Sequence, residues 1–280
     1  MKVSIVTPIY NSRGYSIIDC VNSVHRQTYE DIEHIIIDGA STDATLEILD
    51  CLKNKDKFSL LVSEKDKGIY DAMNKGIKLA AGDIVGILNG DDFYVSKYVI
   101  EKVVRIFKEE KVDAVYADLL YVDSIEIVDI KRYWKSGEFK KESFKYGWMP
   151  PHPTFFVKKE IYEKYGYYNL DLKSAADYEL MLRLLYKYEI KVSYLNDIII
   201  KMRDGGSSGQ SLRHRLFANR EDKKAWKINS LKPLPFTLVL KPIRKLKQYF
   251  IPLEIKEKYS GLEFFYDSKI INNVEIYDER

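Results

Sequence analysis

The first 120 residues alternate between two spacings of apolar positions. Apolar residues three and four apart predict helices, the first of them through Ile17, Val21 and Val24. Runs rich in Val and Ile predict buried strands between the helices, at residues 3–9, 34–37, 59–63, 83–88 and 113–122. Strands that alternate with helices predict an α/β fold, in which a mostly parallel, Rossmann-like central sheet is flanked by helices.

The pattern is less regular after residue 123. It indicates strands at 125–133 and 190–202, helices from 158 and at 176–188, and loops at 147–153 and 204–209. Residues 223–253 differ in composition, because they contain eight Lys or Arg residues and no Asp or Glu. We therefore predict one domain over residues 1–220, with halves at 1–95 and 96–220, followed by a basic helical appendage over 221–280.

The composition narrows the class of protein. A chain of 280 residues with 46% hydrophobic and 13% aromatic residues can bury a large core, which argues against disorder. The net charge of +3 does not favour nucleic acid as a partner. The two cysteines have no metal-binding spacing, the first residues do not resemble a signal peptide, and no run of eighteen apolar residues occurs. We expect a cytoplasmic protein, soluble or peripheral on the inner face of a membrane.

Acidic residues follow two of the predicted strands at the point where each strand ends. Asp38 follows one strand, and Asp91 and Asp92 follow another after Asn89 and Gly90. The carboxyl ends of parallel strands meet at one edge of a sheet, where α/β proteins bind ligands. Adjacent carboxylates repel each other without a cation, and Mg²⁺ or Mn²⁺ is commonly held by one or two carboxylates together with substrate phosphates. A solvated turn is the alternative, because Asn-Gly-Asp is favourable turn sequence.

Asp38 and the residues around Gly76 also have two interpretations each. Asp38 is either a turn residue before Gly39 or an acceptor for a nucleobase N–H or a ribose hydroxyl. Gly76 lies in a predicted helix, where glycine costs roughly 1 kcal/mol relative to alanine, so it indicates close approach of another backbone or a ligand. Lys75 is either a solvated charge on the helix surface or part of a ligand-binding site.

Several segments occur in the order found in one enzyme family. They are residues 3–11 (VSIVTPIYN), 36–43 (IIDGASTD), 66–76 (DKGIYDAMNKG), 82–83 (GD), 88–92 (LNGDD), 152–156 (HPTFF) and 175–180 (AADYEL). Together the segments lie within residues 1 to about 210. In these segments the chain resembles the inverting family 2 glycosyltransferases with the GT-A fold, in particular those of bacterial polysaccharide and O-antigen synthesis.

The resemblance implies transfer of a sugar from a nucleotide diphosphate donor, in particular a UDP-sugar, to an acceptor hydroxyl. It implies that Asp177 is the catalytic base and that Asp91 and Asp92 hold Mn²⁺ or Mg²⁺. It further implies that residues 205–208 form a glycine loop near the diphosphate, and that the acceptor is a saccharide or a polyprenyl-diphosphate-linked molecule. The donor-binding residues that it implies are Thr7, Pro8, Tyr10, Asp38, Asp66, Gly68, Lys75 and Asp91.

The chain departs from the family pattern in three places. Asn89 stands where many members carry an acid, which leaves fewer carboxylates for the metal. Ala40 stands where Gly-Ser would be usual. Residues 210–214 (QSLRH) only faintly resemble the Gln-X-X-Arg-Trp of processive synthases, since His214 replaces the Trp. Because no membrane-spanning segment is predicted either, addition of a single sugar fits better than polymerisation.

Four further predictions keep a purely structural alternative. Asp177 lies in the first turn of a predicted helix, where the helix dipole favours an acid whatever its function. Trp148 suits either stacking on the acceptor sugar or packing in the core. His152 suits either a hydrogen bond to the substrate, at the acceptor or at a phosphate, or a purely structural role in its loop. Residues 223–253 suit either contact with an anionic membrane, where each basic residue adds roughly 1 kcal/mol, or packing on the domain.

Other functions compete with glycosyl transfer. A sugar-nucleotidyltransferase carries a Gly-rich, Arg-containing loop after its first strand, which residues 8–14 do not provide. A dinucleotide oxidoreductase needs Gly-X-Gly-X-X-Gly after a strand, and this motif is absent. A non-catalytic nucleotide-sugar-binding protein is disfavoured by the joint presence of Asp91, Asp92 and Asp177.

Overall fold

The chain forms one nine-stranded sheet in a computed structural model that describes residues 1–12, 14–205 and 212–260. The strand order is β3-β2-β1-β4-β8-β6-β9-β5, and β7 pairs with β6. The strands are β1 (Val3–Ile9), β2 (Ile32–Asp38), β3 (Leu60–Ser63), β4 (Ile84–Ile87), β5 (Phe93–Tyr94), β6 (Ala114–Val122), β7 (Ile130–Trp134), β8 (Phe156–Lys158) and β9 (Val192–Arg203).

Helices connect these strands. The α-helices are α1 (Tyr15–His25), α2 (Thr45–Lys53), α3 (Ile69–Leu79), α4 (Val99–Glu110), α5 (Lys159–Tyr165), α6 (Ala176–Met181), α7 (Leu212–Ile228), α8 (Thr237–Leu246) and α9 (Leu253–Tyr259). A π-helical turn, Leu182–Lys187, continues α6, and short 3₁₀ turns lie at Lys141–Tyr146, His152–Thr154 and Lys247–Tyr249.

Six of the nine strands run in the same direction. Strands β1 to β4 are parallel, as are β6 and β9, whereas β8 lies between β4 and β6 and is antiparallel to both. Strands β5 and β7 are antiparallel to their neighbours. The prediction of a mostly parallel sheet flanked by helices is confirmed.

Two hydrophobic clusters cover the two faces of the sheet. Strand side chains point alternately to opposite faces, so β1 contributes Ile5 to one cluster and Val6 to the other. Helices α1, α2 and α4 cover the first face, and α3, α5 and α6 cover the second. The close approach that Gly76 indicated is to β1, because a Cβ on Gly76 would lie 2.2 Å from Cγ1 of Val6.

The C-terminal helices pack on the domain. Ile251, Ile255 and Tyr259 lie against the first cluster. The buried Lys201 donates to the carbonyl of Tyr259 at 2.7 Å, which ties α9 to β9. None of the helices in the described part of the chain combines the length and hydropathy that a bilayer span requires.

The division of the chain at residues 95 and 220 stays a prediction. Position 220 lies inside α7, whose Ala225 and Trp226 are fully buried in the second cluster. The packing of α7 therefore continues the core of the domain beyond that position.

Candidate active site

Asp177 lies in the first turn of α6, with its side chain only partly exposed. The hydroxyl of Tyr70, at the start of α3, donates to Oδ1 of Asp177 at 3.1 Å. The pKa of Tyr70 is raised by burial and by the charge of Asp177, so the phenol stays a neutral donor. Tyr70 is a site residue that the sequence predictions missed, although it stands inside the family segment at residues 66–76.

His152 links Asp177 to the acidic pair after β4. Its Nδ1 lies 3.5 Å from Oδ2 of Asp177. Burial lowers the pKa of His152, and the charges of Asp177 and Asp91 act on it in the opposite direction. The three side chains therefore belong to one electrostatic site.

A buried ion pair orients the helix that carries Asp177. Glu179 is buried, and its Oε1 accepts from Nε of Arg183 at 2.9 Å. The same guanidinium donates to the carbonyls of Tyr165, Gly166 and Tyr167. Because one side chain joins α6 to the loop after α5, the direction of α6 is fixed without a ligand.

Asp91 and Asp92 form the turn after β4. Asp92 is fully buried, and its Oδ2 accepts from Nδ2 of Asn89 at 2.8 Å. Its Oδ1 is buried and has no hydrogen-bond partner among the described residues, and neither has Oδ1 of Asn89. Burial, followed by the charge of Asp91, raises the pKa of Asp92 well above its usual range, and burial also raises that of Asp91.

These residues fit a divalent cation. An unpartnered carboxylate oxygen beside a second carboxylate is the donor set that Mg²⁺ or Mn²⁺ uses together with substrate phosphates. No group of three or more His, Cys, Asp or Glu side chains that could hold a metal occurs within residues 1–12, 14–205 and 212–260. The protein thus supplies part of a coordination sphere, and a diphosphate would have to complete it.

Arg203, at the end of β9, holds the acidic turn in place. Its Nη1 donates to the carbonyl of Asp91 at 2.7 Å, and its Nη2 pairs with Asp19 on α1. The sequence predictions missed this residue, and its position just before a glycine-rich loop is the signal that could have found it. Of that predicted loop, Gly205 is described and has φ of 110°, whereas residues 206–211 lie outside the described residues.

The carboxyl ends of β1 and β2 bring several predicted donor residues together. Asp38 is buried, and its oxygens accept from Ser41 and from the Ser63 hydroxyl. A Cβ on Gly39 would lie 2.5 Å from Oδ2 of Asp66 and 3.4 Å from Cδ2 of Tyr10, so glycine permits this close arrangement. Tyr10 is 61% exposed and offers a free aromatic face. Gly68 has φ of 114° and precedes α3, and Oδ1 of Asp66 accepts from its N–H.

Three other predicted donor residues are buried or have contacts within the protein, and their donor-binding roles stay predictions. Thr7 is buried, and its hydroxyl lies 2.9 Å from Nε2 of His34, so this side chain does not face an open site. Pro8 is buried within β1. Lys75 pairs with Glu64 at 2.9 Å and donates to the carbonyl of Lys65, which is the arrangement of a structural surface cation.

Trp148 packs in the core, which is one of its two alternatives, whereas stacking on an acceptor sugar stays a prediction. It is buried, donates to the carbonyl of Ser136 at 2.8 Å and packs edge-on against Phe144 and Tyr116. It nevertheless lines a cavity of about 400 Å³ that also contains Asp177 and His152. The opposite wall of this cavity comes from α8 and the turn after it, through Lys241, Arg244, Lys245, Lys247 and Gln248.

Known glycosyltransferases are similar to this chain in sequence. A glycosyltransferase of PGL/p-HBAD biosynthesis from Mycobacterium bovis is 26% identical over 219 residues, which are 78% of this chain and 82% of that protein. Glycosyltransferase GlyG from Streptococcus pneumoniae is 28% identical over 225 residues, which are 73% of this chain and 72% of that protein.

Solved structures share the fold. The crystal structure of S. aureus TarS 1–349 in complex with UDP-GlcNAc has a TM-score of 0.63 at 17% identity, over 93% of this chain and 70% of that one. A mannosyltransferase from Pyrobaculum calidifontis, in complex with GDP-Man and Mn²⁺, has a TM-score of 0.61 at 18% identity, over 85% and 68% of the two chains. A longer TarS chain, with a TM-score of 0.58 at 21% identity, matches 81% of this chain over 42% of its own length.

The family profile described as glycosyl transferase family 2 matches residues 4–166, which is more than half of the sequence. The fold is that of the GT-A glycosyltransferases, and both the fold and the family resemblance predicted from the sequence are confirmed. The chain therefore belongs to glycosyl transferase family 2, with glycosyl transfer as its general activity.

Proposed function

We propose that this protein is a metal-dependent, inverting transferase that moves a hexosyl group from a UDP-sugar to a hydroxyl of a lipid-linked saccharide. The observation that carries the proposal is the position of Asp177. It lines a cavity of about 400 Å³ together with His152, and the charges of both Asp177 and Asp91 act on the pKa of His152. These observations support a base at the acceptor side and an acidic pair at the donor side of one site.

The residues divide the chemistry between them. Asp177 would take the proton from the acceptor hydroxyl while the hydroxyl oxygen forms its bond to the anomeric carbon. The bond from that carbon to the UDP oxygen breaks on the opposite side, so a single displacement inverts the configuration. A cation held by Asp91 and Asp92 would supply charge neutralisation for the departing diphosphate. Tyr10, Asp38 and Asp66 would hold the uridine at the ends of β1 and β2.

The acceptor side of the cavity favours a negatively charged acceptor. Five cations line it, but its only described carboxylates are Asp177 and Asp222, and Asp222 is already paired with Lys241 at 2.8 Å. A diphosphate linked to a polyprenyl chain would complement this excess charge, and Trp134 and Trp148 offer aromatic surface to a saccharide. Membrane contact through residues 223–253 belongs to the same hypothesis, since a polyprenyl acceptor lies in a bilayer.

Thermal unfolding with UDP, GDP, dTDP or ADP, each with and without Mn²⁺, tests the donor. A ligand at a hundredfold excess over its dissociation constant stabilises the native state by about 2.7 kcal/mol. We expect stabilisation that depends on Mn²⁺ and is largest with UDP. Equal stabilisation by all four nucleotides, or none by UDP, would contradict the proposed donor.

Substitution of Asp177 tests the base. We expect Asp177→Asn to leave UDP binding unchanged by calorimetry and to lower the release of UDP from UDP-sugars, with polyprenyl-diphosphate saccharides as acceptors, by at least about a hundredfold. Asp171→Asn is the matched control, because Asp171 is an exposed acid on the loop before α6. Near-normal transfer by Asp177→Asn would exclude Asp177 as the base.

A further inference from the structure

An exposed apolar stripe runs along α8. Val239, Ile243 and Leu246 are 50–61% exposed and stand four and three positions apart, so they occupy one side of the helix. Large exposed apolar residues continue the spacing of three and four beyond both ends of α8. We call the whole set the α8 stripe, and its members are Phe236, Val239, Ile243, Leu246, Phe250 and Leu253.

The stripe is presented on a helix that is held firmly to the domain. Lys241 is paired with the buried Asp222, and the Thr237 hydroxyl donates to the carbonyl of Lys145. Gly147 has φ of 74°, and a Cβ there would lie 2.5 Å from the backbone nitrogen of Lys241, so the loop and α8 touch backbone to backbone. The exposed side of α8 is therefore a fixed surface of the protein.

The two sides of α8 have different chemistry. By helical geometry Lys241, Lys245 and Gln248 lie opposite Val239, Ile243 and Leu246, and they face the cavity that contains Asp177. Residues 223–253 contain eight cationic and no acidic residues. A helix with one apolar side and one side rich in Lys and Arg has the composition of helices that lie in the plane of a membrane surface.

We propose that the α8 stripe docks on an anionic lipid bilayer, with its apolar side chains among the acyl chains and the net positive charge of residues 223–253 attracting the anionic head groups. A symmetric dimer through the stripe is less favourable, because it would bring together two copies of the same positively charged segment, residues 223–253. The thickness of one helix, about 10 Å, would then separate the bilayer surface from the cavity. The docking rests on the proposed function, whose membrane contact through residues 223–253 it assigns to one surface, and so does delivery of a lipid-linked acceptor to Asp177.

Sedimentation of the full chain with vesicles tests the proposal. We expect binding to phosphatidylcholine vesicles that contain phosphatidylglycerol, much weaker binding to phosphatidylcholine alone, and weakening by salt. The double variant Ile243→Glu/Leu246→Glu should lower the partition coefficient by more than about tenfold, because it removes apolar contact and adds repulsion.

A matched variant and two further measurements make the result decisive. Leu79→Glu/Ile125→Glu makes the same change at exposed sites away from α8, and it should bind vesicles like the wild type. Equal melting temperatures and equal UDP-dependent stabilisation of the variants would show intact folding and a working donor site, independently of docking. Wild-type protein that binds neither vesicle, a stripe variant that still binds, or a wild-type dimer that the stripe variant dissociates would overturn the proposal.

Discussion

At the scale of single residues, Asp92 shows a conflict between stability and binding. One oxygen of this buried carboxylate has no partner among the described residues, and Asp91 stands next to it. Burying a charge without a compensating partner destabilises the native state. The arrangement is therefore costly in the free protein, and the proposed cation would offset this cost.

This conflict predicts opposite effects of Asp92→Asn on stability and on binding. The neutral amide has nearly the same shape, so we expect the melting temperature of the free protein to rise by roughly 2–4 °C, the equivalent of about 1 kcal/mol. The Mn²⁺-dependent stabilisation by UDP should disappear in the same variant. Calorimetric unfolding with and without Mn²⁺ and UDP measures both effects.

The exposed Asp50 on α2 provides the control for this substitution. Asp50→Asn should change neither the melting temperature nor its response to Mn²⁺. A lower melting temperature of Asp92→Asn, or an intact response to Mn²⁺, would show that Asp92 has another role.

At the scale of elements, α3 is placed by one close contact with β1. Gly76 faces Val6 so closely that a methyl group there would collide with Cγ1. The position of α3 matters for the site, because its first turn carries Tyr70 and its preceding residue is Gly68.

We expect Gly76→Ala to lower the free energy of unfolding by about 1–3 kcal/mol through overpacking, although alanine is the better helix former by roughly 1 kcal/mol. The double variant Gly76→Ala/Val6→Ala should lose less than the sum of the two single variants, since truncating Val6 makes room for the new methyl group. Urea denaturation of the three variants measures this. Additive losses would show that the contact does not limit the approach of α3.

The same scale shows what the sequence could predict. Strands β1, β2 and β4 are rich in Val and Ile and are mostly buried, and their pattern predicted them closely. Strand β5 has two residues and β8 has three, so neither is long enough to produce a period. The antiparallel insertion of β8 between β4 and β6 depends on long-range pairing that no local pattern encodes.

The candidate site was predictable only in part for a similar reason. Asp91, Asp92 and Asp177 stand in recognisable segments, whereas Arg203 acts through contacts with residues 112 and 184 positions away. Thr7 belongs to a family segment, yet the pleat of β1 turns its hydroxyl towards His34. The roles assigned to the site residues stay predictions.

At the scale of the whole molecule, Lys201 joins the sheet to the C-terminal helix α9. Its side chain is 3% exposed and donates to the carbonyls of Ile127 and Tyr259. Burial lowers the pKa of Lys201 from 10.5 to about 8. Between these two values the unfolded chain binds more protons than the folded chain, so stability rises with pH across this window.

We expect Lys201→Met to remove this rise. One pKa unit corresponds to about 1.4 kcal/mol, so the wild type should gain on the order of 3 kcal/mol relative to the variant between pH 8 and about 10.5. Urea denaturation across this range measures the difference, and Lys53→Met on the exposed end of α2 is the control. Parallel pH profiles of wild type and Lys201→Met would show that Lys201 keeps its ordinary pKa.

The ion pair of Arg183 with Glu179 has a consequence for the thermodynamics of turnover. Because Arg183 also binds three backbone carbonyls, the direction of α6 is established when the chain folds. The loss of freedom that orients Asp177 is then already complete before a substrate arrives. Loosening this ion pair should make the activation entropy of transfer more negative, even where the enthalpy of the chemical step is unchanged.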